Sequence, residues 1–256
     1  MDIGRAGQSV VLKAIGFDLV GTLCHAGTRE DECIQELCSE LARSGVNVPR
    51  QEFVEAYDRV ALKYLEVRKA TYKEVNNRIW IAEALSTFGL DIDENDWVAR
   101  QAADAYFRPY IKSVQVPEYV SPILSEIRKW FKIGLITNFT YAPAARDILQ
   151  RNGLAESFDS VVVSDEVGWR KPHANIFQRF LNDVSTESSE AFFIGDDPRY
   201  DIMGAKNAGM KSILLRNKDT NFSESYYVAM EQQDSKPDIT MNSLYNIRDY
   251  LLSLRT

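Results

Sequence analysis

Val10-Val11-Leu12-Lys13-Ala14-Ile15-Gly16-Phe17 runs directly into Asp18-Leu19-Val20-Gly21-Thr22 and then Leu23. The first eight residues are a near-continuous apolar run, the pattern of a strand covered on both faces. A carboxylate at the end of such a strand lies where open α/β sheets place their chemistry. Gly21 and Thr22 supply the turn that follows. The stretch therefore predicts a parallel sheet whose functional groups gather at the carboxyl ends of its strands.

Outward from this strand, the pattern changes twice. From about residue 24 to 112 apolar residues recur at three- and four-residue steps, as in Cys33-Ile34, Leu37-Cys38 and Leu41, then Phe53-Val54, Tyr57, Val60-Ala61 and Tyr64-Leu65. A third helix is expected over Ile79 to Phe88 with Gly89 as its stop, and a fourth from about Asp96 to Tyr110. Four helices with no strand between them cannot be βαβ units, so 24–112 reads as an inserted helical domain, with 1–23 and 113–256 as the core. After it come a helix over Pro117–Trp130 and then alternating elements: strands at Lys132–Thr137, Ser160–Val163, Ala191–Ile194, Lys211–Leu215 and a short Pro237–Thr240, with helices at Ala142–Arg151, Ala174–Asn182, Tyr200–Ala208 and Ser243–Leu254. That alternation predicts a doubly wound parallel sheet with right-handed crossovers. Residues 1–9 are expected to fray and 217–236 to form a mobile loop.

The chain has 256 residues and a formal charge of -7, which argues against a sequence-independent grip on nucleic acid or on anionic membranes. A small anionic substrate remains compatible, because a metal and a lysine can invert the field within one cleft. No apolar stretch approaches the roughly 18–20 residues of a membrane span, and Asp2, Arg5 and Gln8 interrupt any signal-peptide pattern. Three cysteines, Cys24, Cys33 and Cys38, with no CxxC pair suit a reducing, cytoplasmic setting. His25 and His173 are the two histidines, too few for a histidine-rich zinc centre. The sequence leaves the oligomeric state open.

Three further groups stand at expected strand ends: Thr137-Asn138, the Lys171 of Gly168-Trp169-Arg170-Lys171-Pro172, and Gly195-Asp196-Asp197-Pro198-Arg199-Tyr200-Asp201 with Gly204-Ala205 and Ala208-Gly209 behind it. In a parallel sheet these ends meet on one side. Clustered carboxylates repel and call for a cation, and an oxygen-only donor set favours Mg²⁺. Together with Asp18-x-x-Gly21-Thr22, these segments resemble the four motifs of the haloacid dehalogenase-like (HAD) superfamily, in order over about residues 10–215. The resemblance implies a Rossmann-like core with a helical cap inserted after the first motif. It implies an aspartyl-phosphate mechanism on Asp18, with Thr137 and Lys171 holding the phosphoryl group and Gly21, Thr22 and Asn138 as substrate-side positions. It implies Mg²⁺ held by Asp18, the backbone carbonyl of Val20 and Asp196, with Asp201 and Asp197 orienting metal-bound waters. Asp197 and Asp201 also flank an expected helix start, where acidic residues are favourable in any case.

One position departs from the motif: the family's second aspartate, its general acid–base, is Val20 here. Valine has no proton to give, and such assistance is typically worth about 10²–10⁴-fold. Three readings follow: a phosphatase slow or selective for leaving groups that need no proton, a protein of related chemistry, or one that binds without turnover. The related chemistries are the family's 2-haloacid dehalogenases, in which halide leaves unprotonated, and its phosphonatases, which use a cap lysine. Lys63 and Lys69 are the available lysines. Tyr57, Arg59, Tyr64 and Tyr72 of the helical segment are expected to split between core and surface, with one or two of this aromatic and basic set facing the cleft.

Overall fold

The computed structural model describes residues 11–27, 30–216 and 235–255. The stretch 1–9, and all of 217–236 except its last two residues, lie outside the described residues. Six parallel strands form one sheet in the order β3-β2-β1-β4-β5-β6: β1 Ala14–Phe17, β2 Lys132–Thr137, β3 Ser160–Val163, β4 Ala191–Gly195, β5 Lys211–Leu215 and β6 Ile239–Met241. The chain leaves β1 toward β2 on one side and later returns to β4 on the other. That makes the gap beyond β1 and β4 the topological switch point, where open α/β sheets bind ligands.

Strand residues alternate between two cores. Ile15, Phe17, Ile133, Leu135, Phe192 and Ile194 face one, while Ala14, Ile136 and Phe193 face the other. The second core is closed by Phe177 and Phe180 of a helix over Ala174–Asp183 and by Ala205. Each fully buried side chain of this size contributes about 1.5–3 kcal/mol. The first core continues into four consecutive helices between β1 and β2: α1 Glu30–Arg43, α2 Arg50–Thr71, α3 Asn77–Ser86 and α4 Trp97–Ser113. The remaining α-helices among the described residues are α5 Val120–Arg128, α6 Ala142–Arg151, α7 Ser164–Val167, α8 Ala174–Asp183, α9 Met203–Asn207 and α10 Leu244–Ser253. Asp96 caps α4 by accepting from the Val98 amide at 2.8 Å, and Asn76 caps α3 from the Arg78 amide at 2.8 Å. Aromatic side chains hold α4 to the core: the Phe107 ring stacks on Tyr141 at 5.4 Å, and the Tyr141 hydroxyl donates to Asp104 at 2.6 Å.

Backbone pairing ties the helical segment down in two further places. Its entry and exit strands exchange hydrogen bonds, His25 N to Gln115 O at 3.0 Å and Gln115 N to His25 O at 2.8 Å. The turn after α2 pairs with the loop before α8, Arg170 N donating to Tyr72 O and Glu74 N to Gly168 O, both at 3.0 Å.

One expected element is different. The helix expected over Tyr200–Ala208 begins as a single π turn, Pro198–Ile202, followed by the short α9. The Asp197 carbonyl receives both the Asp201 amide at 2.9 Å and the Ile202 amide at 3.4 Å, which widens the turn. Such single turns occur often at functional sites.

Candidate active site

Asp18 follows β1, its amide donating to Ile194 O of β4 at 2.9 Å, so the carboxylate emerges at the switch point. Asp196 follows β4 and Thr137 ends β2. Asp18, Asp196 and Asp201 are all buried and each offers an oxygen within 4.8 Å of the others. Lys171, 2% exposed, lies between two of them, its Nζ 2.5 Å from Asp18 Oδ1 and 2.7 Å from Asp201 Oδ1. One cation against three carboxylates leaves the cluster electron-rich.

The acid–base properties follow. Burial pushes the Asp18 carboxyl up to about 6 even though Lys171 pulls it down. Burial and the neighbouring charges of Asp18 and Asp201 push Asp196 up to about 8. For Lys171 burial works against the charge, but Asp18 and Asp201 outweigh it and hold the ammonium well above the ordinary lysine range. The site thus keeps its cation and is short of a second one.

Each expected residue has a place here. Thr22 does not turn toward the cleft; its hydroxyl donates to Asp196 Oδ1 at 3.2 Å across 174 residues of sequence. Gly21 has φ +98°, and a Cβ there would sit 2.3 Å from Asp196 Oδ2, so only glycine lets this turn approach the carboxylate. Gly195 is equally constrained, because a Cβ would meet Asp201 Oδ2 at 2.2 Å. Asp201 has both oxygens engaged, Oδ1 by Lys171 and Oδ2 by the Asp197 amide at 3.0 Å. Asp197 itself caps the π turn, its Oδ1 accepting from the Arg199 and Tyr200 amides at 2.8 and 3.2 Å, and it is not one of the three converging carboxylates. Asn138 is committed to the Lys171 backbone in both directions, accepting from its amide at 2.8 Å and donating to its carbonyl at 3.1 Å. It fixes the lysine loop rather than offering a free amide. Among the described residues no hydrogen bond reaches the Val20 carbonyl, so it remains available as a ligand.

The donors fit a divalent cation. Asp18 and Asp196 each keep one oxygen outside the contacts with Lys171 and Thr22, the carbonyl of Val20 is adjacent in sequence, and all are hard oxygen donors of the kind Mg²⁺ takes.

These groups open onto a cavity of about 190 Å³ lined by Asp18, Val20, Thr137, Asn138, Lys171, Asp196, Asp197 and Asp201, together with Tyr110, Phe139, Arg170 and Tyr200. At about 30 Å³ per water this is room for roughly six waters, a small-molecule site. The last four residues were not singled out from the sequence. Tyr110 projects from α4 and packs edge-on to Phe139 at 5.6 Å, an orientation that helical periodicity alone does not give. Arg170 had one legible signal, a second cation beside Lys171 in the same loop. None of Tyr57, Arg59, Lys63, Tyr64, Lys69 and Tyr72 lines the cavity. Lys63 pairs with Glu83 at 2.7 Å and Lys69 with Glu66 at 2.7 Å, both on the surface. His173 caps α8, its Nδ1 accepting from the Asn175 amide at 3.2 Å, and its ring stacks on Trp169. Cys24 donates to Leu19 O, and burial pushes its thiol up to about 12, which makes it an inert neighbour of the site.

A family model of the haloacid dehalogenase-like hydrolases matches residues 12–209, which contain every residue of this cluster. The chain belongs to that family. This haloacid dehalogenase-like hydrolase is 28% identical over 206 residues to the glyceraldehyde 3-phosphate phosphatase of Pyrococcus furiosus, covering 80% of this chain and 81% of the relative. It is 32% identical over 116 residues to the glyceraldehyde 3-phosphate phosphatase of Methanothermobacter thermautotrophicus, covering 45% of this chain and about half of that relative, 48%. The crystal structure of the 2-haloacid dehalogenase from Pseudomonas syringae pv. tomato DC3000 superposes with a TM-score of 0.65 at 26% identity, covering 95% of this chain and 99% of that one. This hydrolase thus resembles both phosphatases and a dehalogenase. No helix among the described residues is long and apolar enough to cross a membrane.

Proposed function

We propose that the protein is a Mg²⁺-dependent phosphatase that cleaves a small phosphorylated metabolite through an aspartyl phosphate on Asp18. The observation that carries this reading is the buried set of Asp18, Asp196 and Asp201 around the single cation Lys171, a site whose excess negative charge calls for a divalent ion. Above about pH 6 the Asp18 carboxyl is mostly ionised and able to attack. One oxygen of Asp18 bonds to phosphorus, the P–O bond to the leaving group breaks, and the alkoxide, aryloxide or carboxylate departs; water then releases phosphate and restores Asp18. Thr137 and Lys171 hold the phosphoryl oxygens, and Lys171 offsets the developing charge. Asp18, Asp196 and the Val20 carbonyl would hold Mg²⁺, which supplies further charge neutralisation, while Asp201 and Asn138 keep Lys171 in place.

Val20 leaves the departing oxygen without a proton donor at that position, so acyl and aryl phosphates are the favoured substrates. Residues 24–112 serve as the cap, excluding water and presenting Tyr110 to the substrate. The free thiols Cys24, Cys33 and Cys38 suit the cytoplasm as the working compartment.

A second reading has its own support: Val20 and the likeness to a 2-haloacid dehalogenase fit attack of Asp18 on carbon, with halide leaving. Phosphate and halide release from a panel of aryl, acyl and alkyl phosphates and 2-haloacids, with Mg²⁺ and with chelator, separates the two. Phosphate release that stops with chelator and in Asp18→Asn is the expected result. Halide release indifferent to chelator replaces the phosphatase by a dehalogenase, and full activity in Asp18→Asn removes the nucleophile.

A further inference from the structure

Arg170 is the second cation lining the cavity, and it is held by a loose ion pair rather than by hydrogen bonds. Its side chain is only 17% exposed, yet its guanidinium makes no hydrogen bond to any described residue. Five N–H donors in a mostly buried position ordinarily find acceptors. The nearest carboxylate, Glu74, is 3.6 Å away, beyond hydrogen-bond length. Glu74 is already taken: its Oε1 lies 2.9 Å from Arg68 and accepts from the Val75 amide at 3.1 Å, and its Oε2 accepts from the Ser164 hydroxyl at 2.6 Å. Glu74 is therefore shared by two cations, close to Arg68 and looser to Arg170, whose N–H donors it leaves without a hydrogen bond. On its other side lies the Tyr200 ring, 5.9 Å from ring centroid to guanidinium carbon.

The backbone at Arg170 is firmly placed. Its amide donates to Tyr72 O at 3.0 Å and its carbonyl accepts from the His173 amide at 2.9 Å. A fixed backbone with an unspent guanidinium facing a small cavity is the arrangement of a recognition residue. Its ion-pair partner is Glu74, not one of the three clustered carboxylates, two of which are held by Lys171.

We propose that Arg170 recognises a second anionic group on the substrate, a carboxylate or a second phosphate, distinct from the phosphoryl group on Asp18. The inference rests on the phosphatase reading and narrows it to doubly anionic substrates. With a cavity of about 190 Å³ the two groups stand only a few carbons apart. A planar guanidinium takes either oxyanion through two parallel N–H bonds.

The test uses matched synthetic probes: 3-phosphonooxypropionate, its neutral counterpart 3-hydroxypropyl phosphate, and propane-1,3-diol bisphosphate. With Mg²⁺ the wild type is expected to favour an anionic probe over the neutral one by tenfold or more in kcat/KM. Preference for the propionate assigns a carboxylate, and preference for the bisphosphate assigns a phosphate. Arg170→Gln brings the ratio close to one, while Arg170→Lys, which keeps the charge but loses the fork, retains part of it. A wild-type ratio near one, or a ratio preserved in Arg170→Gln, overturns the proposal while turnover of the neutral ester still upholds the phosphatase. If none of these alkyl phosphates is hydrolysed while an aryl phosphate is, the phosphatase reading stands, and if the aryl phosphate also resists, it falls; in both cases calorimetric titration with 3-phosphonooxypropionate decides the site. Binding at least tenfold weaker to Arg170→Gln than to wild type upholds Arg170; equal binding, or none to the wild type, overturns it.

Discussion

Replacing Lys171 with methionine removes the one cation inside the carboxylate cluster while keeping most of the side-chain volume. At an effective dielectric of about 20, charges 2.5 and 2.7 Å apart attract by about 6–7 kcal/mol each. Desolvation of the ions offsets much of this, and breaking a buried pair by deleting one partner typically costs about 3–5 kcal/mol. The loss depends on pH in a defined direction. Lys171 lowers the Asp18 pKa, so without it the carboxyl climbs above its present value of about 6, and Asp196 already stands at about 8. Both folded values exceed the unfolded value of 3.8, so the folded state binds more protons than the unfolded chain, and stability falls as pH rises from about 4 through 8. Each proton so retained contributes about 1.4 kcal/mol per pH unit. Urea unfolding in chelator at pH 5 and pH 8 is the assay. Lys171→Met is expected to lose about 3–5 kcal/mol against wild type at pH 8 and less at pH 5, where the protonated Asp18 carboxyl no longer needs the ammonium. Equal losses at both values, or none at pH 8, refute the electrostatic account of the cluster.

Two other outcomes follow from the same geometry. Val20→Asp is expected to raise turnover of alkyl phosphates by up to about 10²–10⁴-fold and that of aryl phosphates much less, so that leaving-group dependence measured before and after the substitution shows whether proton donation is what this enzyme lacks. Mg²⁺ affinity measured by calorimetry is expected to rise from pH 6 to pH 8.5, with proton release on binding, because Asp196 must lose a proton held up to about pH 8 before it can serve as a ligand; affinity flat across that range speaks against Asp196 as the ligand.

Much of the frame was readable from local pattern. Lys132–Thr137, Ser160–Val163 and Lys211–Leu215 are strands with the bounds their apolar runs suggest, because burial on both faces leaves little choice of side chain. Asp18, Thr137, Lys171 and Asp196 were legible for a related reason: each stands where a strand or loop must change character. What local pattern could not supply was long-range pairing. Thr22 turning to Asp196 and Glu74 standing by Arg170 depend on segments far apart in sequence. The π turn after Asp196 was not legible because it depends on backbone pairing and on Asp197 Oδ1 accepting from the Arg199 and Tyr200 amides. Tyr110 was invisible because a helix reads the same whichever of its inner residues overlooks a cavity.

The pairing of the turn after α2 with the loop that carries Arg170 and Lys171 bears on how such proteins diversify. Tyr72 and Glu74 belong to the inserted segment, yet they hold the backbone from which two cavity cations hang. The insertion is therefore not a detachable module. A chimera that takes residues 24–112 from a relative would bring a foreign partner to Gly168 and Arg170 and disturb the loop that carries Lys171 along with the four helices. Exchange of specificity between relatives has to move the two segments as one unit, and substitutions near residue 74 are expected to travel with substitutions at 168–170.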